Sequence, residues 1–229
     1  MKRFYKTVTI AERDGGFGIE LDGREVKTPE KRQNISPTRE LAQAIYQEWQ
    51  AQTDSVNPDN MPIAKLQNSA LDRVAPRKGE VIDELIKFAG TDLLCYRAEF
   101  PGDLVQRQAE IWQPLLDWVA QRHNITLKVT TGIIHIEQDA TELNRLRDFL
   151  CGLDSFRLMA FYTVTTLCGS VALALNLVGG NIDAEQAWTA AQLDENYQTA
   201  KWGLDDEART RQDNMKSELD AAVRFLNLL

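Results

Sequence analysis

The chain has 229 residues and a formal net charge of −8, with 43% of its residues hydrophobic and 26% charged. That balance excludes wholesale disorder. The acidic excess excludes the basic footprint of a nucleic-acid binder and any attraction to an anionic membrane surface.

Along the chain, the opening "MKRFYKTVTIAERD" has no apolar core before Glu12, so no signal or transit peptide is expected. Short β-branched or aromatic runs, "FYKTVTI" and "FGIEL", are separated by the turn dipeptides Asp14-Gly15 and Asp22-Gly23. Residues 4 to 28 therefore read as a small antiparallel meander, and Gly15, Gly16 and Gly18 as turn glycines rather than a dinucleotide fingerprint. Ser36-Pro37 is expected to open a helix, with Leu41, Ile45 and Trp49 on its buried face. Further helices are expected from near Ile63, over "KGEVIDELIKFAG", and over "DLVQRQAEIWQPLLDWVAQRHN" with a kink at Pro114. "ITLKVTTGIIHI" interrupts them as a strand segment, 125–136, expected to join the amino-terminal sheet.

Between Arg157 and Asp183 no residue is charged. Leu158 to Val178 is long enough to cross a bilayer. Its Thr163, Thr165, Thr166, Ser170 and Asn176 favour one central helix buried by other helices, and no stable membrane insertion is expected. The fold class is accordingly α+β. A β-rich amino-terminal domain (1–80) is followed by a larger helical-bundle domain (81–229).

Residues with catalytic chemistry are scarce. His123, at a helix end, and His135, among isoleucines, have no partner at metal-ligand spacing. Ser170 lacks a nucleophile elbow, and there is no phosphate-binding P-loop, so neither a metal nor another cofactor is expected. Cys95, Cys151 and Cys168 form no C-x-x-C pair, which fits a reducing, cytoplasmic compartment. Cys95 has Arg97 nearby, yet reads as a buried structural cysteine. Paired carboxylates keep one enzymatic alternative open: a carboxylate-dependent hydrolase with a site between the two domains.

The acids concentrate near the end. From Asp183 to Asp220, ten acids face Lys201, Arg209, Arg211 and Lys216. Asp183 and Gln186 form a capping box, and Gly203 with Leu204 behind it forms a helix stop, so one helix is expected over about 184–202. At 100° per residue, Ala184, Trp188, Ala191, Glu195, Gln198 and Trp202 share one stripe, while Leu193, Tyr197, Ala200 and Leu204 form a second apolar line. Glu195 thus occupies a seam position. It is either a partly exposed acid of little energetic weight or, with Gln198 and Trp202, a surface offered to a partner protein. Asp205, Asp206 and Glu207 cap and begin the last helix.

Three segments, "TDLLCYRAEFP" (91–101), "WQPLLDWVAQRHNITLKVTTGI" (112–133) and "LDENYQTAKWG" (193–203), resemble the assembly chaperones of F-type ATP synthase that receive the α subunit of its soluble head. The likeness runs over nearly the whole chain, from "GREVKTP" onwards. It implies an ATP-independent, non-enzymatic and monomeric chaperone that shields the β-contacting surface of the α subunit and prevents its aggregation. The family's functional acid maps to Asp194 or Glu195, and the periodicity prefers Glu195. Tyr197, Gln198, Trp202 and Gly203 match the same signature. Relatives often carry a longer acidic run, which Asn196 ends here, and mitochondrial members carry a transit peptide.

Overall fold

The computed structural model describes residues 1–203 and 205–229. Leu204, placed above at the helix stop and on the second apolar line, lies outside them. The chain divides into two compact units.

The first unit comprises Met1–Lys78, Asp154–Ala160 and Ala221–Leu229. Beyond the stretch expected as the amino-terminal domain, it therefore draws on two segments distant in sequence. β1 (Val8–Arg13) and β2 (Gly16–Leu21) pair antiparallel with Val8 opposite Leu21. β3 (Arg24–Glu25) and β4 (Ile35–Ser36) both pair antiparallel with β2. The two turns fall where expected, because Gly15 and Gly23 supply positive φ, at +87° and +76°.

α1 (Arg39–Gln50) lays Leu41, Ala44 and Ile45 on the sheet, joining Val8, Ile19, Leu21, Ile63 and Phe225 in one apolar core. Its N-cap is Thr38, whose hydroxyl accepts from the Leu41 N–H, rather than Ser36 as expected. Ser36 sits fully buried in β4 and donates to Gln67 Oε1 at 2.8 Å, a tertiary partner that outweighs its local capping propensity. α2 (Pro62–Ser69) has no side-chain cap of its own. Buried Glu48, from α1, supplies one by accepting from the Ile63 and Ala64 N–H groups, each at 2.8 Å.

The second unit comprises Gly79–Leu153 and Phe161–Asp220. α3 (Lys78–Gly90) leads through a short 3-10 turn (Leu93–Cys95) to β5 (Tyr96–Arg97). α4 (Gly102–His123) runs through Pro114 and turns its stripe of Gln108, Trp112, Leu115, Leu116 and Val119 inward. β6 (Thr130–Thr131) pairs parallel with β5, so segment 125–136 does not join the amino-terminal sheet. Ile125 and Leu127 are buried, while Ile133 is almost fully exposed, so this run is not a continuous two-faced strand. α5 (Ala140–Gly152) follows, capped by Asp139.

The long apolar run forms two helices where one was expected: α6 (Ser155–Cys168) and α7 (Val171–Val178). Gly169, at φ +64°, ends the first and Ser170 caps the second, its hydroxyl accepting from Leu173 N–H at 3.0 Å. Among the described residues, no helix is long and apolar enough to cross a membrane. α8 (Ala184–Ala191) begins with the expected capping box. α9 (Leu193–Trp202) and α10 (Asp206–Asn227) complete the chain, with Asp205 accepting from Ala208 N–H at 2.7 Å.

The α6–α7 break is set by Asp92, which is fully buried. One oxygen accepts from Ser170 Oγ at 2.8 Å and Leu94 N–H at 3.0 Å, and the other accepts from Ala172 N–H at 3.0 Å. A carboxylate at the N-terminus of α7 also suits the helix dipole. Burial nevertheless dominates and raises its pKa above 3.8, with the backbone and Ser170 bonds opposing that rise. The same environment raises the thiol pKa of buried Cys168 to about 12 and that of Cys95 further, so Cys95 is not the activated thiol that Arg97 could have made it.

Because the folded state holds the Asp92 proton more tightly than the unfolded chain does, stability falls as pH rises from about 4 through the raised pKa. Urea titrations across that range should show this slope in the native protein and lose it in Asp92→Asn. At neutral pH the same variant should lose about 1–3 kcal/mol, since an amide NH2 facing the Ala172 N–H leaves a buried donor unpaired.

Candidate functional site

The three signature segments converge on one face of α4. Gln108, 1% exposed, accepts from the Ala98 N–H through Oε1 and donates through Nε2 to Asp194 Oδ1, both at 2.8 Å. Arg97 donates to the carbonyls of Leu94 at 2.7 Å and Gln108 at 2.9 Å, and its guanidinium lies 5.3 Å from the Trp112 ring centre. Trp112, fully buried, donates its indole N–H to the carbonyl of Ala190 at 2.8 Å, holding the end of α8. One turn before Gln108, Asp103 accepts from the Tyr197 hydroxyl at 2.7 and 2.9 Å. That bond, with help from Lys201, holds the Asp103 carboxyl below its usual pKa. Lys201 donates to the same hydroxyl and lies 4.2 Å from the ring centre, and the Arg107 guanidinium lies 5.7 Å from it.

These bonds separate the predicted residues into two sets. Asp194 and buried Tyr197 point back into the unit and are bonded to α4. Glu195, Gln198 and Trp202 lie on the outward side of α9, with Trp202 84% exposed. All three line a hollow of about 520 Å³, together with Cys168, Arg211 and Met215. Glu195 has no hydrogen-bond or ion-pair partner among the described residues.

The expected stripe through Ala184, Trp188, Ala191, Glu195, Gln198 and Trp202 does not exist as one seam. Gln192 (φ −95°, ψ 14°) breaks the helix, so the angular count cannot be carried across it. α8 buries Ala187, Ala190 and Ala191, and α9 buries Leu193 and Tyr197, the start of the second apolar line. Glu195 is therefore an exposed acid and not a seam residue.

Gln108, Trp112 and Asp103 are not among the residues expected from the sequence to build this arrangement. Gln108 had a legible signal: it is a polar residue on the apolar stripe that continues through Trp112, Leu115 and Val119. His123, expected as a cation at a helix end, instead packs edge-on against Trp118 and Phe149, with ring centres 5.4 and 4.9 Å away. Burial, with the nearby Arg122 charge adding to it, lowers its pKa and so disfavours the cation. Among the described residues, no three His, Cys, Asp or Glu side chains group as metal ligands.

Residues 2–120 match the model of the family described as ATP12 chaperone protein. The chain belongs to the ATP12 family. It is 31% identical over 235 aligned positions to mitochondrial protein atp12 of Schizosaccharomyces pombe, covering 97% of this chain and 81% of that one. The crystal structure of Atp12 from Paracoccus denitrificans superposes with a TM-score of 0.94 at 39% identity, covering 99% of this chain and 97% of that one. A lysine-for-aspartate mutant of the same P. denitrificans protein gives 0.95 at the same identity and coverage. The family is one of ATP synthase assembly chaperones and not of enzymes, which removes the carboxylate-dependent hydrolase.

Replacing Gln108 by Leu leaves the Ala98 N–H and Asp194 without their buried partner and should cost about 2 kcal/mol. Hydrogen exchange of the α9 amides should rise in that variant more than exchange in α1, which belongs to the other unit.

Proposed function

We propose that the chain holds the unassembled α subunit of F-type ATP synthase on the outward face of α9, with Glu195 as the charged contact and Trp202 as the anchor. The observation that carries this reading is the division within Asp194-Glu195. One acid is consumed in fixing the helix, and the other is left unpaired beside an exposed tryptophan. An immobilised helix bearing a bare carboxylate and a large aromatic side chain loses little conformational entropy when a partner covers it. The surrounding excess of acids steers a basic surface toward it. Occupying the client's β-contacting surface would keep that surface from aggregating until the β subunit arrives. Nothing in this scheme consumes ATP, and one copy of the chain is sufficient.

The test is capture of separately expressed α and β subunits by the purified chain. Nucleotide-independent capture of α alone is expected. Trp202→Ala should weaken it by about 30-fold, the effect of losing a hot spot of about 2 kcal/mol. Glu195→Lys should weaken it at least tenfold with an unchanged unfolding midpoint, whereas Asp194→Asn should shift the midpoint. Wild-type affinity in a folded Glu195→Lys variant would remove Glu195 from the interface.

A further inference from the structure

α10 supplies a second wall of the hollow beside α9, and that wall carries the opposite charge. Arg211 and Met215, one turn apart, line it from α10, as Glu195 and Trp202, two turns apart, line it from α9. Gln212 donates through Nε2 to Gln192 Oε1 at 3.3 Å, which ties the α10 wall to the residue that opens α9. Buried Cys168 and Ala191 lie beneath and bring no charge. Among the described lining residues, Glu195 and Arg211 are the two charged ones. Both are exposed, and neither makes a hydrogen bond or ion pair with any described residue. Within a strongly acidic stretch of chain, the hollow itself is therefore balanced, with one free charge of each sign.

We propose that Arg211 is a specificity-determining contact of this surface, taking a client carboxylate from the same short segment whose basic group meets Glu195. The inference rests on the proposed α-subunit reading and narrows it to a client segment of two-signed chemistry. The occupant follows from charge complementarity. A segment that covers the hollow strips water from both charges, and each then needs an opposite charge to replace it. Trp202 and Met215 ask for apolar atoms between those two groups. A volume of about 520 Å³ takes the side chains of such a segment. The acidic surroundings attract any basic surface from a distance. A purely basic segment would nevertheless be rejected on arrival, because it would bury Arg211 against its own sign.

The test measures capture of the α subunit by the full chain carrying Arg211→Gln, Arg211→Glu, Glu195→Gln, or both glutamines together. Each single glutamine variant should bind about tenfold more weakly, the scale of losing one charge pair across an interface. The two effects should multiply in the double variant, as for contacts with separate client groups. Unfolding midpoints should stay at the wild-type value, since neither side chain has a partner in the free chain. Arg211→Glu separates selection from general attraction, because it makes the surface more acidic. It should weaken capture further than Arg211→Gln does. Equal or tighter capture by Arg211→Glu, with the wild type still binding, would overturn the role of Arg211 and leave the α9 reading standing. A double glutamine variant no weaker than either single one would also overturn it, by showing that the two charges serve each other. A doubled mass of the free chain that Arg211→Glu abolishes would overturn it by making the hollow a self-contact. Failure of the wild type to capture the α subunit at all would overturn both readings.

Discussion

A primary amide sealed from solvent must find partners for both of its ends, and much of the second unit is arranged to meet that demand at Gln108. Its carbonyl end takes the Ala98 N–H and its NH2 end takes the Asp194 carboxylate, so the strand after the 3-10 turn and the first turn of α9 are fixed to one helix. Leaving either end unmet would cost about 1–3 kcal/mol, a large share of the net stability of an ordinary domain. Trp112, one turn along, imposes the same condition through the Ala190 carbonyl. With its inner side committed this way, α9 can present only its other side outward, and that side carries Glu195, Gln198 and Trp202.

Distant carboxylates do comparable work elsewhere. Glu48 closes the start of α2 in the first unit, and Asp92 closes the start of α7 in the second. In each case a buried acid satisfies N–H groups that the helix cannot satisfy internally. Burial raises both pKa values, while the donated N–H bonds pull the other way. Chaperoning requires an outer surface that is apolar in places, and such a surface contributes nothing to folding. Polar contacts of this kind hold the helices in place without drawing on the exposed Trp202 and Phe100.

Local signals were legible in the sequence wherever local physics decides. The turns at Asp14-Gly15 and Asp22-Gly23, the α3 segment and the Asp183–Gln186 capping box all follow from residues within a few positions of one another. What escaped was set by distant partners. Ser36 has the local chemistry of a cap, and the partner that draws it elsewhere, Gln67, lies 31 residues away. The α6–α7 break depends on Asp92, 78 residues before Ser170. The candidate surface is legible through its motif and its charge, whereas the angular position of Glu195 holds only for a continuous helix, and Gln192 interrupts it. In α4, where the helix is continuous, Gln108 is the polar residue that stands on an otherwise apolar stripe.

The most direct measurement is a hydrogen-exchange footprint of the chain with and without the α subunit. Slowed exchange should concentrate over residues 193–203. The β subunit should leave that segment unchanged. A footprint confined to the first unit, for instance over the groove lined by Phe4, Trp49 and Met61, would contradict the assignment of α9 as the docking helix.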